Sequence, residues 1–277
     1  MKTLKLFQML ILAIIVMSCA QSQLKIDDSL FSRLPDNLEL NDEVQTYLMI
    51  TDHHNGDIFG NFHSKMRLKG EYTRGLAGGA VKWNNVTVAF SMHPDEAYTD
   101  EQTIDYMENF TYVISRDMLN PEKFQTFTDH SAFTKNLIWD MMGIEGLAWL
   151  CFDKLELNKP YKAVEFNQKM DLAGQGFFEN KNMELTWTGI SKQNNELCAV
   201  IDYRTLNNPL EVVADGLEIK GLSNYWGNIW VSLEDKQIEY ATLFENVTME
   251  LLLPGQTNKQ LVNTIREIEV IKLQTIR

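Results

Sequence analysis

Cysteine is scarce, three in 277 residues, and no Cys-x-x-Cys pair occurs. Gly-x-Ser-x-Gly, His-Glu-x-x-His and a glycine-rich phosphate loop ahead of a helix are missing too. These absences remove the locally readable nucleophile, zinc and nucleotide sites, and no cofactor is expected. Catalytic residues can still converge from distant positions. Positive charge is short: 25 Lys and Arg stand against 38 Asp and Glu, a formal net charge of −13. A field of that sign argues against nucleic acid as a partner, and against a polybasic grip on anionic lipid. Long apolar runs are lacking as well. The run Leu6 to Met17, broken only by Gln8, spans twelve residues, where a membrane-crossing helix needs ~20.

What is present begins at that run. Lys2 and Lys5 precede it, and Val16-Met17-Ser18-Cys19 closes it before the chain turns polar at Gln21, Ser22 and Gln23. This is the layout of a secretory signal peptide over 1–18. The four residues Val16 to Cys19 resemble the lipobox of bacterial lipoproteins, with Met17 where the family usually has a smaller residue. The resemblance implies cleavage before Cys19 and a diacylglyceryl group on its sulfur. More than one acyl chain on one residue suffices to hold a protein to a bilayer. Ala20, in place of an aspartate, points away from inner-membrane retention. The expected location is the bacterial cell envelope, at the outer membrane. Removing residues 1–18 takes two lysines and leaves a net charge of −15.

Residues 19–40, polar with scattered leucines, read as a lipidated tether. Residues 41–277 read as a single domain, in which alternation of apolar and polar residues dominates from Val44. Asn55-Gly56 predicts a two-residue hairpin turn between strands 44–54 and 57–68, with Met49 facing Phe62 and Tyr47 facing Ser64. Further strands are predicted at 163–170, 183–190, 196–204, 210–220, 226–234, 238–253 and 265–273. The hairpin turning at Glu234 to Gln237 pairs Val231 with Tyr240. Phe133, Leu137, Ile138, Met141 and Met142 recur at helical spacing, with Thr128 or Ser131 as cap, and Gly143 and Gly146 end or kink that helix before a second apolar run, Leu147 to Phe152. Residues 100–112 stay open between helix and strand. Strand runs with helix between them give an α+β class: a mostly antiparallel, curved β-sheet packed on one or two central helices. Trp83-x-Asn85-Val86-x-Val88 matches Trp226-x-Asn228-Ile229-x-Val231, suggesting a two-fold internal repeat around 44–92 and 197–250; chance alternation is the competing account.

Candidate sites are few. Asp52, His54 and Asp57 share a face of the first hairpin, with His53 on the other and His63 far up the strand. A polar hairpin tip explains them without a metal, and no metal site is assigned. His93 and His130 stand singly. Cys151 and Cys198 lie in apolar stretches, where buried free thiols and a disulfide both fit. Trp226 and Trp230 share the more polar face of their strand, suited to lining an apolar groove or stacking on a sugar ring, or to burial beneath the central helix.

The lipobox, the strand runs and the helical interruption together are similar in outline to the periplasmic lipoprotein-carrier and lipoprotein-receptor superfamily, the LolA/LolB-like half-barrels. That resemblance implies a curved sheet around helices, with lipid bound in its concavity. Two function classes follow. One is a non-catalytic, membrane-anchored envelope protein that binds an apolar ligand, such as lipid, or another envelope component through the Trp226 and Trp230 face. The other is a hydrolase whose site assembles from distant strands, bringing Asp52, His54 or His130 to another carboxylate.

Overall fold

The structure is a computed structural model that describes Leu34 and residues 38–273 apart from residue 215. Cys19, its lipobox and most of the expected tether lie outside the described residues. Among its described residues, the unit Leu34–Arg277 contains thirteen strands. These are β1 (Gln45–Asp57), β2 (Phe62–Leu76), β3 (Ala80–Ser91), β4 (Thr99–Thr103), β5 (Phe110–Val113), β6 (Tyr161–Lys162) and β7 (Gln168–Asp171). They continue as β8 (Gly176–Asn180), β9 (Glu184–Gln193), β10 (Glu196–Ala214), β11 (Leu217–Ser232), β12 (Ile238–Leu252) and β13 (Gln260–Lys272). All join one open antiparallel sheet, ordered β4-β3-β2-β1-β13-β12-β11-β10-β8-β7 with β5, β6 and β9 off that path. The last strand pairs with the first, so the two ends of the domain close against each other in mid-sheet.

This corrects the α+β class. Among the described residues there is one α-helix, α1 (Ser131–Trp149), against thirteen strands, and the fold is sheet-dominated. The second apolar run, Leu147 to Phe152, forms the last turn of α1 and the start of a short 3-10 turn. Helix α1 passes through both glycines expected to stop it. A Cβ on Gly146 would stand 3.3 Å from the Phe166 ring, so that glycine admits a neighbour without breaking the helix. No side chain caps the N-terminus; His130 holds that position at φ 64°. Residues 99–113 form β4, a 3-10 turn and β5.

Two hairpins differ from the expected register. Asn55-Gly56 lies inside β1 at a bulge, and the turn comes later, so Met49 pairs with Gly70 and Tyr47 with Tyr72. The Asp57 carboxylate decides this: it accepts from the backbone N–H of Phe59 and Asn61, each at 2.9 Å, and from the Asn61 amide. That Asx-type closure outcompetes the two-residue turn. At the β11–β12 hairpin, Val231 pairs with Ile238 and Trp230 with Tyr240. Segment 210–220 divides between β10 and β11, with Gly216 at φ 79° supplying the left-handed turn residue.

Strand alternation buries one sheet face beneath α1. Tyr47, Met49, Leu68, Tyr72, Ile201, Tyr203, Ile229, Val231, Ile268 and Val270 are buried there with Leu137, Ile138, Met141 and Ile144 of the helix. We call this the covered face and its opposite the open face. On the covered face Tyr203 crosses β11 at Gly227 to donate its hydroxyl to the Thr242 carbonyl at 2.7 Å. A Cβ on Gly227 would stand 2.6 Å from that hydroxyl and overlap the Thr242 oxygen. Gly227→Ala is therefore expected to destabilise the domain by about 3 kcal/mol, the upper range for overpacking, measured by urea unfolding.

Candidate functional site

The open face takes the alternate residues of each strand. Trp226 on β11 lies opposite Phe244 on β12, the rings stacked at 21° with centroids 6.3 Å apart. Four residues along, Trp230 lies opposite Tyr240, centroids 5.2 Å apart. Trp226 is 44% exposed, and Trp230, Tyr240 and Phe244 are half-buried. Cross-strand pairing continues the second row through Val200 on β10, Ile271 on β13 and Leu48 on β1. Such aromatic pairs stabilise a sheet, yet here they do so on the face away from the helix.

A polar row lies between the two aromatic pairs. Asp202, Asn228, Thr242 and Glu269 follow one another across β10, β11, β12 and β13. The backbone N–H of Asn228 donates to Thr242 Oγ1 at 3.2 Å, and its amide reaches Asp202 at 3.5 Å. Tyr240 donates its hydroxyl to Glu269 at 2.7 Å. Partial burial raises the Asp202 carboxyl above its ordinary range, against the pull of nearby Arg204. Trp226 and Trp230, read from the sequence as one face, are thus brought together on the open face. The repeat that matched Trp83 to Trp226 separates them: Trp83 is fully buried on the covered face. The pairing of β3 with β2 shifts beside Asn84, and Asn85 takes φ 52°, which changes which residues point inward.

The hydrolase candidates do not form a catalytic set. Asp52 lies opposite Glu267 on the open face, but it is held by Arg67 through two hydrogen bonds, 2.7 and 2.6 Å, and by the Tyr98 hydroxyl at 2.7 Å. Burial alone would raise its carboxyl; these hydrogen bonds outweigh burial and lower it. His54 faces Lys65 and Ile265, and His53 is buried on the other face against Phe133. Burial, with Arg266 nearby, depresses the His53 imidazole well below its ordinary range. Asp57 closes its own turn, and His130 begins α1 beside Phe90. Cys151 and Cys198 are free and buried, and burial pushes their thiols up to about 11 and about 12.

Sequence reading missed two charged groupings. The first is a cleft of about 350 Å³ near the entry of the chain at Asn41, lined by Gln45, Glu196, Asp235, Glu239 and Lys272 among others. One oxygen each of Glu196, Asp235 and Glu239 lie within 4.8 Å of one another, spacing that could hold a cation. Lys272 supplies one: its ammonium bonds Glu239 and stands 3.8 Å from Asp235. The second grouping ties α1 to the sheet. Arg266 on β13 bonds Asp140 of the helix and Glu245 of β12, the latter at 2.5 Å. Ser223 also donates to Glu245, and Arg74 on β2 stands 3.3 Å from Glu145 of the helix. No sequence spacing announces these pairs, because their partners lie up to 126 residues apart.

Burial raises Asp140 to about 6 against the attraction of Arg266, and Glu145 to about 7 against Arg74. A carboxyl raised in the folded state favours folding at low pH, and that contribution is lost as pH rises through the folded value. The unfolding free energy of the native chain is expected to fall between pH 4 and 7 relative to Asp140→Asn/Glu145→Gln. Unfolding at a series of pH values checks this; the opposing contribution of His53 is common to both proteins and cancels.

No protein-family model and no curated protein matches the chain. Among solved structures it is similar to one described as lipid–protein interactions in lipovitellin, with TM-score 0.41 and 12% identity over 83% of this chain. The chain spans about a quarter of that protein's length. At that level the likeness establishes neither fold nor ligand.

Proposed function

We propose that the chain is a lipid-anchored, non-catalytic protein of the bacterial cell envelope that binds an envelope component through Trp226 and Trp230. The aromatic pairing on the open face carries the binding reading: two Trp-centred platforms turned away from the helix-covered core. Aromatic side chains with polar neighbours are typical anchors of recognition surfaces. Helix α1 and its ion pairs occupy the covered face, which is where the half-barrel resemblance would put a lipid, and leave the open face for a ligand. The lipid anchor rests on Val16 to Cys19, and the outer membrane on Ala20 after the cysteine.

Metabolic labelling with a palmitate analogue tests the anchor. The native chain is expected to carry the label and sediment with membranes, while Cys19→Ser loses the label and moves to the soluble fraction. A variant that still sediments, unlabelled, would remove lipid from the account.

A further inference from the structure

We propose that the ligand of the open face is a neutral polysaccharide chain, lying along β11 and β12 with sugar rings stacked on Trp226 and Trp230. The inference rests on the docking reading above and names its ligand class. The two platforms, Trp226 with Phe244 and Trp230 with Tyr240, are four residues apart on β11, roughly 13 Å at ~3.3 Å per residue. That span suits an oligosaccharide rather than a single ring.

The row between the platforms selects among ligands. Asp202, Asn228, Thr242 and Glu269 present carboxylates, an amide and a hydroxyl there. A pyranose offers an apolar C–H face for stacking and a rim of hydroxyls that both donate and accept. Platform, polar row and platform meet those features in turn. An acyl chain laid over the same path would strip water from the polar row and return no hydrogen bonds. A protein partner would want a contiguous apolar centre of standard interface size, whereas here the polar row divides the aromatics. An acidic glycan would meet Asp202, Glu267 and Glu269 on a chain of net charge −13, while Arg204, opposite Trp226, is already paired with Glu184. The uncharged, hydroxyl-rich polymer is what remains.

The test uses the soluble Cys19→Ser chain without detergent, so that the lipid anchor cannot itself carry the protein onto a vesicle, with tryptophan fluorescence and calorimetry as readouts. The probes are cellohexaose, laminarihexaose, mannohexaose and chitohexaose, with polygalacturonate and phosphatidylethanolamine–phosphatidylglycerol vesicles as the competing classes. At least one neutral oligosaccharide is expected to bind saturably and shift the emission. Trp230→Ala is expected to weaken it on the order of tenfold, the loss of one aromatic anchor, and Trp230→Phe to restore part of it. Matching melting temperatures certify that the variants fold. Tighter binding of polygalacturonate or vesicles overturns the proposal, as does binding that Trp226→Ala/Trp230→Ala leaves unchanged. If no neutral oligosaccharide binds while Trp226 and Trp230 are shielded in isolated envelopes, the ligand class is wrong and the docking reading stands. If neither occurs, both fall.

Discussion

Arg266→Met is expected to lower the unfolding free energy by about 3–5 kcal/mol, the cost of leaving a buried charge without its partner. Arg266 is 8% exposed and stands between Asp140 of α1 and Glu245 of β12, so its loss strands two carboxylates at the helix–sheet junction. Desolvation makes such groupings weak sources of net stability while intact, and severe liabilities when halved. The triple variant Arg266→Met/Asp140→Leu/Glu245→Met is therefore expected to recover most of the loss. Urea unfolding of the native, single and triple proteins checks both parts. A single variant within about 1 kcal/mol of native would mean that the pairing is solvated and does not fix the helix.

The second large effect separates two tryptophans. Trp83→Ala is expected to cost about 3–5 kcal/mol, the range for truncating a core tryptophan. Its ring is fully buried, 5.2 Å from Tyr72, and its indole N–H donates to the Tyr112 hydroxyl at 3.3 Å. Trp226→Ala is expected to cost about 1 kcal/mol, since the residue gives up one cross-strand stack on an exposed face. Thermal melts of the two variants distinguish these positions. Equal losses would indicate that the open face is buried in the folded chain.

That contrast shows what the sequence can convey. Alternation located most of β1, β12 and most of β13, because one face of each strand packs against the core while the other meets solvent. It also put Trp226 and Trp230 on one face, since residues four apart in a strand share a side. Hairpin geometry was less legible: Asn55-Gly56 is a strong local turn signal, but the Asp57 carboxylate closes a later turn around Gly60. The class was misread because one helical stretch between strand runs was given the weight of a layer, whereas a single helix, continuous through Gly143 and Gly146, covers a thirteen-stranded sheet. Arg266 with Asp140, and Lys272 with Glu239, left no local trace, because such pairs depend on which strands become neighbours. Sequence order alone did not place β13 beside β1.

The most direct measurement of the central claim is hydroxyl-radical footprinting of the lipidated chain, in isolated envelopes and after purification. Trp226, Trp230 and Tyr240 are expected to be protected in the envelope and to become reactive on purification. Phe59 and Met92, 84% and 68% exposed away from the aromatic platforms, are expected to react equally in both settings. Equal labelling of Trp226 and Trp230 in both would contradict a docking role for the open face.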